Sequence, residues 1–343
     1  MKAYYLQAAN KIGSVQKEIP PVHEDDVLVR VSNVGICGSD FHLYRGTYSG
    51  PFKYPLLFGH EWSGVVEAVG PEVKEFKKGD KVTGDCSRFC GSCENCRLDR
   101  NLCLIIEKFG ITTDGASAEY IVREAKYLYK APDTMSLELL CLAEPMAVAF
   151  HLINRLKKQV HRIQEKEILI FGGGAIGISA FMILNKHLAC PQVSLFDISK
   201  YRSSFARRIG AHIPDEETLD PRDGASDYHA VYSRASYDVI IETTGNAQVI
   251  ANTVHLAKPL GFIVFAGMAP EVKIHQKVIV LKALTLLGSI GGTGAFPEAI
   301  DFINRNSEYV EQLITHKVSP ANLDQAFEMS RDVDKAMKVL LEF

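Results

Sequence analysis

The sequence predicts a two-domain α/β protein, a β-rich domain together with a doubly wound parallel sheet, and three observations carry that expectation. From Met1 to about Tyr129, short β-prone runs are broken by Gly, Pro and Asp. Beyond Ala131-Pro132-Asp133, strand-like and helix-like segments alternate, the pattern of a parallel sheet covered by helices. An apolar strand also runs directly into Gly172-Gly173-Gly174-Ala175-Ile176-Gly177, where a helical run begins. At roughly 100–200 residues per domain, the 343 residues give room for about two full cores.

In the first part, residues 27–31 and 63–70 read as strands, with Lys78-Gly79-Asp80 as a turn between strands. Residues 137–156 read as helical and 167–171 as a strand. Residues 193–197 (strand), 200–209 (helix), 237–242 (strand), 247–256 (helix) and 262–266 (strand) continue the alternation. The pattern ends near Ser289-Ile290-Gly291-Gly292. A helix over 297–305 and a strand-like run over 338–341 close the chain.

Composition narrows the function. Lys+Arg 38 against Asp+Glu 41 leaves a net charge of −3, with no basic excess to neutralise a phosphate backbone, so a small-molecule partner is expected and nucleic acid is not. Met1-Lys2-Ala3-Tyr4-Tyr5 is not a charged segment leading into an apolar run, and no stretch approaches the roughly 20 apolar residues of a membrane span. The expectation is a soluble, cytoplasmic chain without a membrane partner. There, eight cysteines read as metal ligands or small buried residues and not as disulfides.

The glycine turn satisfies GxGxxG in the context that gives the motif meaning, between a strand and a helix. The next strand ends in Asp197, 20 residues beyond Gly177. Gly172 permits the tight turn, Gly174 lets the backbone approach a pyrophosphate, and Gly177 lets the helix pack on the strand. The helix N-terminus offers N–H donors to phosphate. Asp197 would bind ribose hydroxyls and repel a 2′-phosphate, favouring NAD over NADP.

Cys90, Cys93, Cys96 and Cys103 are spaced CxxCxxCx6C, which suits a closed four-thiolate zinc site. A four-iron cluster fits less well, because the bacterial ferredoxin run has a three-residue final gap followed by Pro, whereas here the gap is six and Leu104 follows. A second, dispersed set comprises Cys37 in Gly35-Ile36-Cys37-Gly38-Ser39-Asp40-Phe41-His42, His60-Glu61, and Glu144 before Pro145. Thiolate, imidazole and carboxylate together make a plausible zinc site with a position left open for substrate. Taken singly, Cys37 reads equally as a small buried residue and Glu144 as a helix-face charge.

With these motifs in place, the sequence resembles the zinc-containing medium-chain alcohol and polyol dehydrogenases. The resemblance runs end to end. It rests on CGSDxH at Cys37, GHE at His60, the four-cysteine lobe, Asp114 to Tyr120, Glu144-Pro145, the glycine turn, Glu242-Thr243-Thr244-Gly245 and Lys338 to Leu341. It implies a GroES-like catalytic domain, residues 1–146 and 288–343 with a zinc lobe at about 86–104, and an inserted Rossmann NAD-binding domain, residues 147–287. It further implies two zinc ions per chain. Cys37 and His60 would be catalytic zinc ligands, with Asp40 orienting His60. Glu61 would ligate directly or through water, and Glu144 stands where alcohol dehydrogenases have cysteine, an arrangement similar to sorbitol dehydrogenase.

Ile176 and Thr244 join the cofactor-binding set by the same resemblance. Ser39 and His42 would relay the substrate proton, although each reads alone as a turn hydroxyl or a solvent-exposed histidine. Tyr44 is a candidate substrate contact, and Trp62 either walls the site or packs the core. The implied reaction is hydride transfer between a secondary alcohol of a polyol, sugar acid or cyclitol and NAD, with a threonine-type amino-alcohol dehydrogenase as the alternative. A non-catalytic nucleotide-binding relative would show broken metal or glycine motifs, and none is broken. Residues 284–290 are expected to pair with a twin in a homodimer or homotetramer. Cys86 is left without a role.

Overall fold

The computed structural model describes residues 1–219, 228–233 and 235–343. The chain forms two compact units, Met1–Val148 with Gly291–Phe343, and Ala149–Ile290. Among the described residues no helix is long and apolar enough to cross a membrane, and no disulfide joins the eight cysteines.

The first unit is organised around the strand Asp26–Gly35, whose buried positions are mostly valine and leucine. This strand pairs antiparallel with Glu61–Val69, Tyr120–Glu124 and the C-terminal strand Lys338–Glu342. The sheet continues beyond Glu61–Val69 through Lys81–Gly84 to Leu128–Lys130, and beyond Lys338–Glu342 to Ile314–Val318, its one parallel pairing. β-Branched residues suit such a pleated, half-buried surface. Val27, Val29, Val31, Val34, Phe58 and Trp62 share one core cluster with Phe327, Val339 and Leu341 from the returning segment. Trp62 is therefore a core residue, its ring 6.2 Å from that of Phe109.

The second unit is a five-stranded parallel sheet. Its strands run in the order Val193–Phe196, Ile168–Phe171, Tyr237–Glu242, Ala257–Phe265, Thr285–Gly288. Ile168, Leu169, Ile170, Ile240 and Ile241 are all fully buried, as expected where helices cover both faces of a parallel sheet. An isolated parallel bridge from Ser194 to His212 extends the outer edge. The chain leaves Ile168–Phe171 toward one edge and returns on its other side as Tyr237–Glu242. That reversal is the point at which ligands bind in open parallel sheets, beyond the strands' carboxyl ends. The glycine turn and Thr243-Thr244-Gly245 both lie there.

Some element limits differ from expectation for local reasons. The long helix expected over 137–156 divides at Leu142 into Leu137–Cys141 and Ala143–Lys157. The helix after the glycine turn, Ala175–Met182, loosens into a π-turn over Ile183–His187. The strand expected at 262–266 starts earlier, at Ala257, which pairs with Tyr237 ahead of a register shift. Leu260 in that segment adopts a positive φ of 63°.

Candidate active site

One buried carboxylate organises the dispersed metal-ligand set. Cys37 is the N-cap of the helix Gly38–Arg45, and Asp40 three residues on accepts a hydrogen bond from the Cys37 N–H at 2.9 Å. This is the reciprocal arrangement of a capping box. The other Asp40 oxygen accepts from the Gly59 N–H at 3.4 Å and faces His60 Nδ1 at 3.5 Å. Asp40, fully buried, thereby fixes two elements distant in sequence. The donor atoms of Cys37, His60 and Glu61 all lie within 4.8 Å of one another. Burial disfavours a charged His60, but Asp40 and Cys37 outweigh it and hold the imidazole pKa well above its ordinary value. Thiolate, imidazole and carboxylate together fit zinc.

Glu61 has a partner that sequence reasoning missed. Lys338, on the C-terminal strand, places Nζ 2.8 and 2.5 Å from the two Glu61 oxygens and 3.4 Å from the Ile36 carbonyl. Both side chains are almost wholly buried. Burial alone would lower the Lys338 pKa; the Glu61 and Cys37 charges reverse that and raise it. Removing one member of a buried ion pair strands the other, at a cost of about 3–5 kcal/mol. Lys338→Met should therefore lower stability by about 3 kcal/mol, seen as a lower urea midpoint, while Lys338→Arg recovers most of the loss. An unchanged midpoint in the methionine variant would contradict the pairing.

Glu144, in the first turn of Ala143–Lys157, is buried beside this group but outside the close three-donor set. Burial pushes its carboxyl up to about 7; Glu61 adds to the rise, while His60 and a hydrogen bond with Cys86 oppose it. Cys86 thus acquires a place. Burial, reinforced by Glu144, pushes its thiol up to about 12, so it is a protonated donor to Glu144 and not a thiolate.

Ser39 Oγ lies 3.4 Å from His60 Nε2. His42, one turn later on the same helix, is exposed and pairs through Nδ1 with Thr47 Oγ1 at 3.1 Å. No direct hydrogen bond joins Ser39 to His42; residues three apart do share a helix face. The Tyr44 ring stacks on Phe327, centroids 5.0 Å apart. Burial raises the pKa of the Tyr48 phenol, with His60 opposing the rise and Cys86, Cys37 and Asp40 adding to it.

Cys90, Cys93, Cys96 and Cys103 form a compact lobe. Cys90 Sγ lies 3.9 Å from Cys96 Sγ and 3.6 Å from Cys103 Sγ. Sulfurs around a tetrahedral ion at about 2.3 Å would stand about 3.8 Å apart. The sulfurs of Cys103, Cys90 and Cys93 accept from the N–H groups of Cys90, Cys93 and Cys96 respectively, at 3.3–3.4 Å. Backbone donors at Ser92 and Cys93 draw the Cys90 thiol down to about 6.

In the second unit, Gly172 holds φ at +101°, and a Cβ there would press into Thr243 Oγ1. A Cβ on Gly177 would collide with the Gly172 carbonyl oxygen, so only glycine lets the helix approach the turn. Gly174 caps Ala175–Met182 without a side chain, leaving the first-turn N–H groups, Ile176 among them, available to an anion. Asp197 accepts from the Gly173 N–H at 2.7 Å and from the Ser199 N–H at 2.8 Å, with Arg202 Nη1 4.0 Å away. The buried Glu242 carboxylate accepts from Thr244 N–H at 2.6 Å, from the Thr244 hydroxyl and from Gly245 N–H at 3.1 Å. It thereby shapes the facing turn.

Two family models cover nearly the whole chain: "Alcohol dehydrogenase GroES-like domain" over residues 23–133 and "Glucose dehydrogenase C-terminus" over residues 138–343. An uncharacterized zinc-type alcohol dehydrogenase-like protein of Haemophilus influenzae is 32% identical over 322 residues, covering 92% of this chain and 90% of that protein. Sorbitol dehydrogenase of Bacillus subtilis is 27% identical, covering 99% and 97%. Among solved structures, an Escherichia coli alcohol dehydrogenase (rspB) complexed with the cofactor NADH superposes with a TM-score of 0.89 at 28% identity, covering 100% of this chain and 99% of that one. The chain belongs to the zinc-containing medium-chain alcohol and polyol dehydrogenase family.

Proposed function

We propose that the protein oxidises a secondary alcohol of a polyol, sugar acid or cyclitol, or reduces the matching ketone, with NAD as the partner and two zinc ions per chain. The observation that carries this reading is the close set of Cys37, His60 and Glu61 donors fixed by Asp40. The NADH complex of the E. coli relative and the sorbitol activity named for the B. subtilis relative support it.

Cys37, His60 and Glu61 would hold the catalytic zinc, and Cys90, Cys93, Cys96 and Cys103 the structural one. When bound, the catalytic ion supplies Lewis acidity that lowers the pKa of the substrate hydroxyl, and NAD accepts the hydride from the carbinol carbon. Asp40 keeps the His60 ring oriented. Glu144, beside the three close donors, would complete the ligand set directly or through water. Ser39 Oγ would take the hydroxyl proton as it gives up its own, and His42, exposed at the far end of that helix face but not bonded to Ser39, would be the group from which a proton leaves to solvent. Gly172, Gly174 and Gly177 admit the pyrophosphate, with Ile176 N–H and Thr244 contributing contacts, and Asp197 receives the ribose hydroxyls. The protein's contribution to the hydride step is placement. A homodimer or homotetramer in the cytoplasm fits this reading, Thr285–Gly288 being the edge strand of its sheet.

The test is NAD reduction by purified protein, with zinc content measured in parallel, on sorbitol, xylitol, L-idonate, myo-inositol, threonine and 2-butanol. Zinc-loaded protein that reduces NAD with none of them overturns the reading. Asp197→Ala is expected to relax the preference for NAD over NADP by about tenfold or more, from loss of repulsion toward a 2′-phosphate. The ratio of kcat/KM for the two cofactors measures this, and an unchanged ratio would remove Asp197 from the ribose site.

A further inference from the structure

Glu242 ends the central strand of the parallel sheet, where it pairs in register with Phe171 on one side and Phe265 on the other. One of its carboxylate oxygens accepts all three hydrogen bonds from Thr244 and Gly245. The other, Oε2, is buried and has no hydrogen-bond partner among the described residues. The space beside it is closed, since a Cβ on Gly267 would lie 2.6 Å from Oε2. The groups around the side chain are Phe171, Phe265, Gly267 and the turn from Thr243 to Gly245. None of them titrates or carries a charge, and among the described residues no cation offsets the acid. Burial raises its pKa, and the three hydrogen bonds oppose the rise. A glutamine carbonyl could accept the same three hydrogen bonds, so the shape of the turn does not by itself call for an acid. What the acid adds is charge, at a fully buried position where charge is costly to keep.

Sheet order says which part of a dinucleotide would feel that charge. Asp197, the proposed ribose acceptor, follows the strand Val193–Phe196, which lies on one side of the strand leading into the glycine turn. The pyrophosphate belongs on the turn itself, so the nicotinamide half extends over the strands on the other side. The first of those strands is the one that ends in Glu242. Oxidised and reduced cofactor share their adenine, riboses and pyrophosphate and differ by one charge: the nicotinamide ring is a cation in NAD⁺ and neutral in NADH. We propose that the buried Glu242 carboxylate selects the redox state of the cofactor, its uncompensated negative charge favouring NAD⁺ over NADH in the nicotinamide half of the site. This rests on the dehydrogenase reading above and deepens it. The charge favours capture of the form that alcohol oxidation consumes and eases release of the form it produces. One unit charge acting across a partly buried site changes the ratio of the two dissociation constants by about five- to twentyfold.

Glu242→Gln keeps the acceptor for Thr244 and Gly245 and removes the charge. Glu242→Met removes the charge without burying an amide and serves as the second variant should glutamine destabilise the turn. Kd values for NAD⁺ and NADH are measured by calorimetry on zinc-loaded protein, which requires no turnover. The Kd for NAD⁺ divided by the Kd for NADH should rise about five- to twentyfold in both variants at about pH 8.5. A role confined to the shape of the turn would move both constants together and leave their ratio unchanged. The preference belongs to the ionised carboxylate and is lost as pH falls through its raised pKa. The gap between wild type and variants should therefore narrow between about pH 8.5 and about pH 5. An unchanged ratio in both variants, or a gap equal at the two pH values, overturns the proposal and leaves the dehydrogenase reading standing. Wild-type protein that binds neither form of the cofactor overturns the dehydrogenase reading, and this proposal with it.

Discussion

His60→Ala is expected to reduce NAD-linked turnover by about 10⁴-fold, equivalent to about 5.5 kcal/mol of lost transition-state stabilisation, and to release one of two zinc ions. The reasoning is geometric. His60 is one of three donors within 4.8 Å of one another, and alanine leaves a thiolate and a carboxylate that is already engaged by Lys338. That remnant holds zinc poorly, and without the ion nothing at the site acidifies an alcohol. Asp40 would keep its bonds from Cys37 and Gly59, so the fold should survive with only a modest drop in melting temperature. Metal analysis beside steady-state kinetics checks both halves. Full activity with two zinc ions retained would remove His60 from the site.

Cys96→Ser should give the complementary result. The lobe has almost no apolar core: Leu98, Leu104 and Ile105 are 86%, 62% and 71% exposed, and its helical pieces, Glu94–Leu98 and Arg100–Leu102, are five and three residues long. A segment that buries so little cannot offset the entropy of being ordered and depends on a cross-link. Structural zinc contributes about 10–16 kcal/mol in small zinc-finger peptides, and a serine oxygen is a poor substitute for a buried thiolate. The variant is expected to lose the lobe's zinc and at least about 4 kcal/mol of stability, lowering the melting temperature by about 10 °C. Well below that temperature, any protein that remains folded keeps the catalytic ligand set and much of its turnover. Thermal unfolding with and without a chelator measures the effect. A melting curve unchanged from wild type would mean that the four sulfurs meet without a metal between them.

The elements legible in the sequence were those written locally. The parallel sheet could be read because each strand and helix declares its own period, and Tyr237–Glu242 and Ala247–Leu256 fall on the limits the pattern gives. The four-cysteine lobe was legible because its ligands fall within fourteen residues. The illegible features depend on chain closure over long distances. Lys338 is 277 residues from Glu61, and a lone lysine in a strand-like run carries no mark of the acid it will meet. Cys86 had no reading until Ala143–Lys157 brought Glu144 against it. The resemblance drew attention to Tyr44 as a substrate contact, but only the folded chain shows its ring stacked on Phe327.

The return of the chain to its first unit also matters while the protein is being made. The strand Lys338–Glu342 pairs with Asp26–Gly35, and Thr293 exchanges hydrogen bonds with Asn101 beside the cysteine lobe and donates to Asp85. A ribosome adding about 5–20 residues per second needs on the order of ten seconds or more to pass from residue 148 to residue 291. For that interval the N-terminal strands have an unpaired edge, Glu61 lacks its lysine and the lobe lacks the segment that buttresses Asn101. The inserted sheet, by contrast, is contiguous in sequence and can fold as soon as it emerges. Synthesis therefore passes through an intermediate with a finished nucleotide-type sheet and an open, thiol-rich half, the stage at which premature oxidation or strand-edge association would do the most harm.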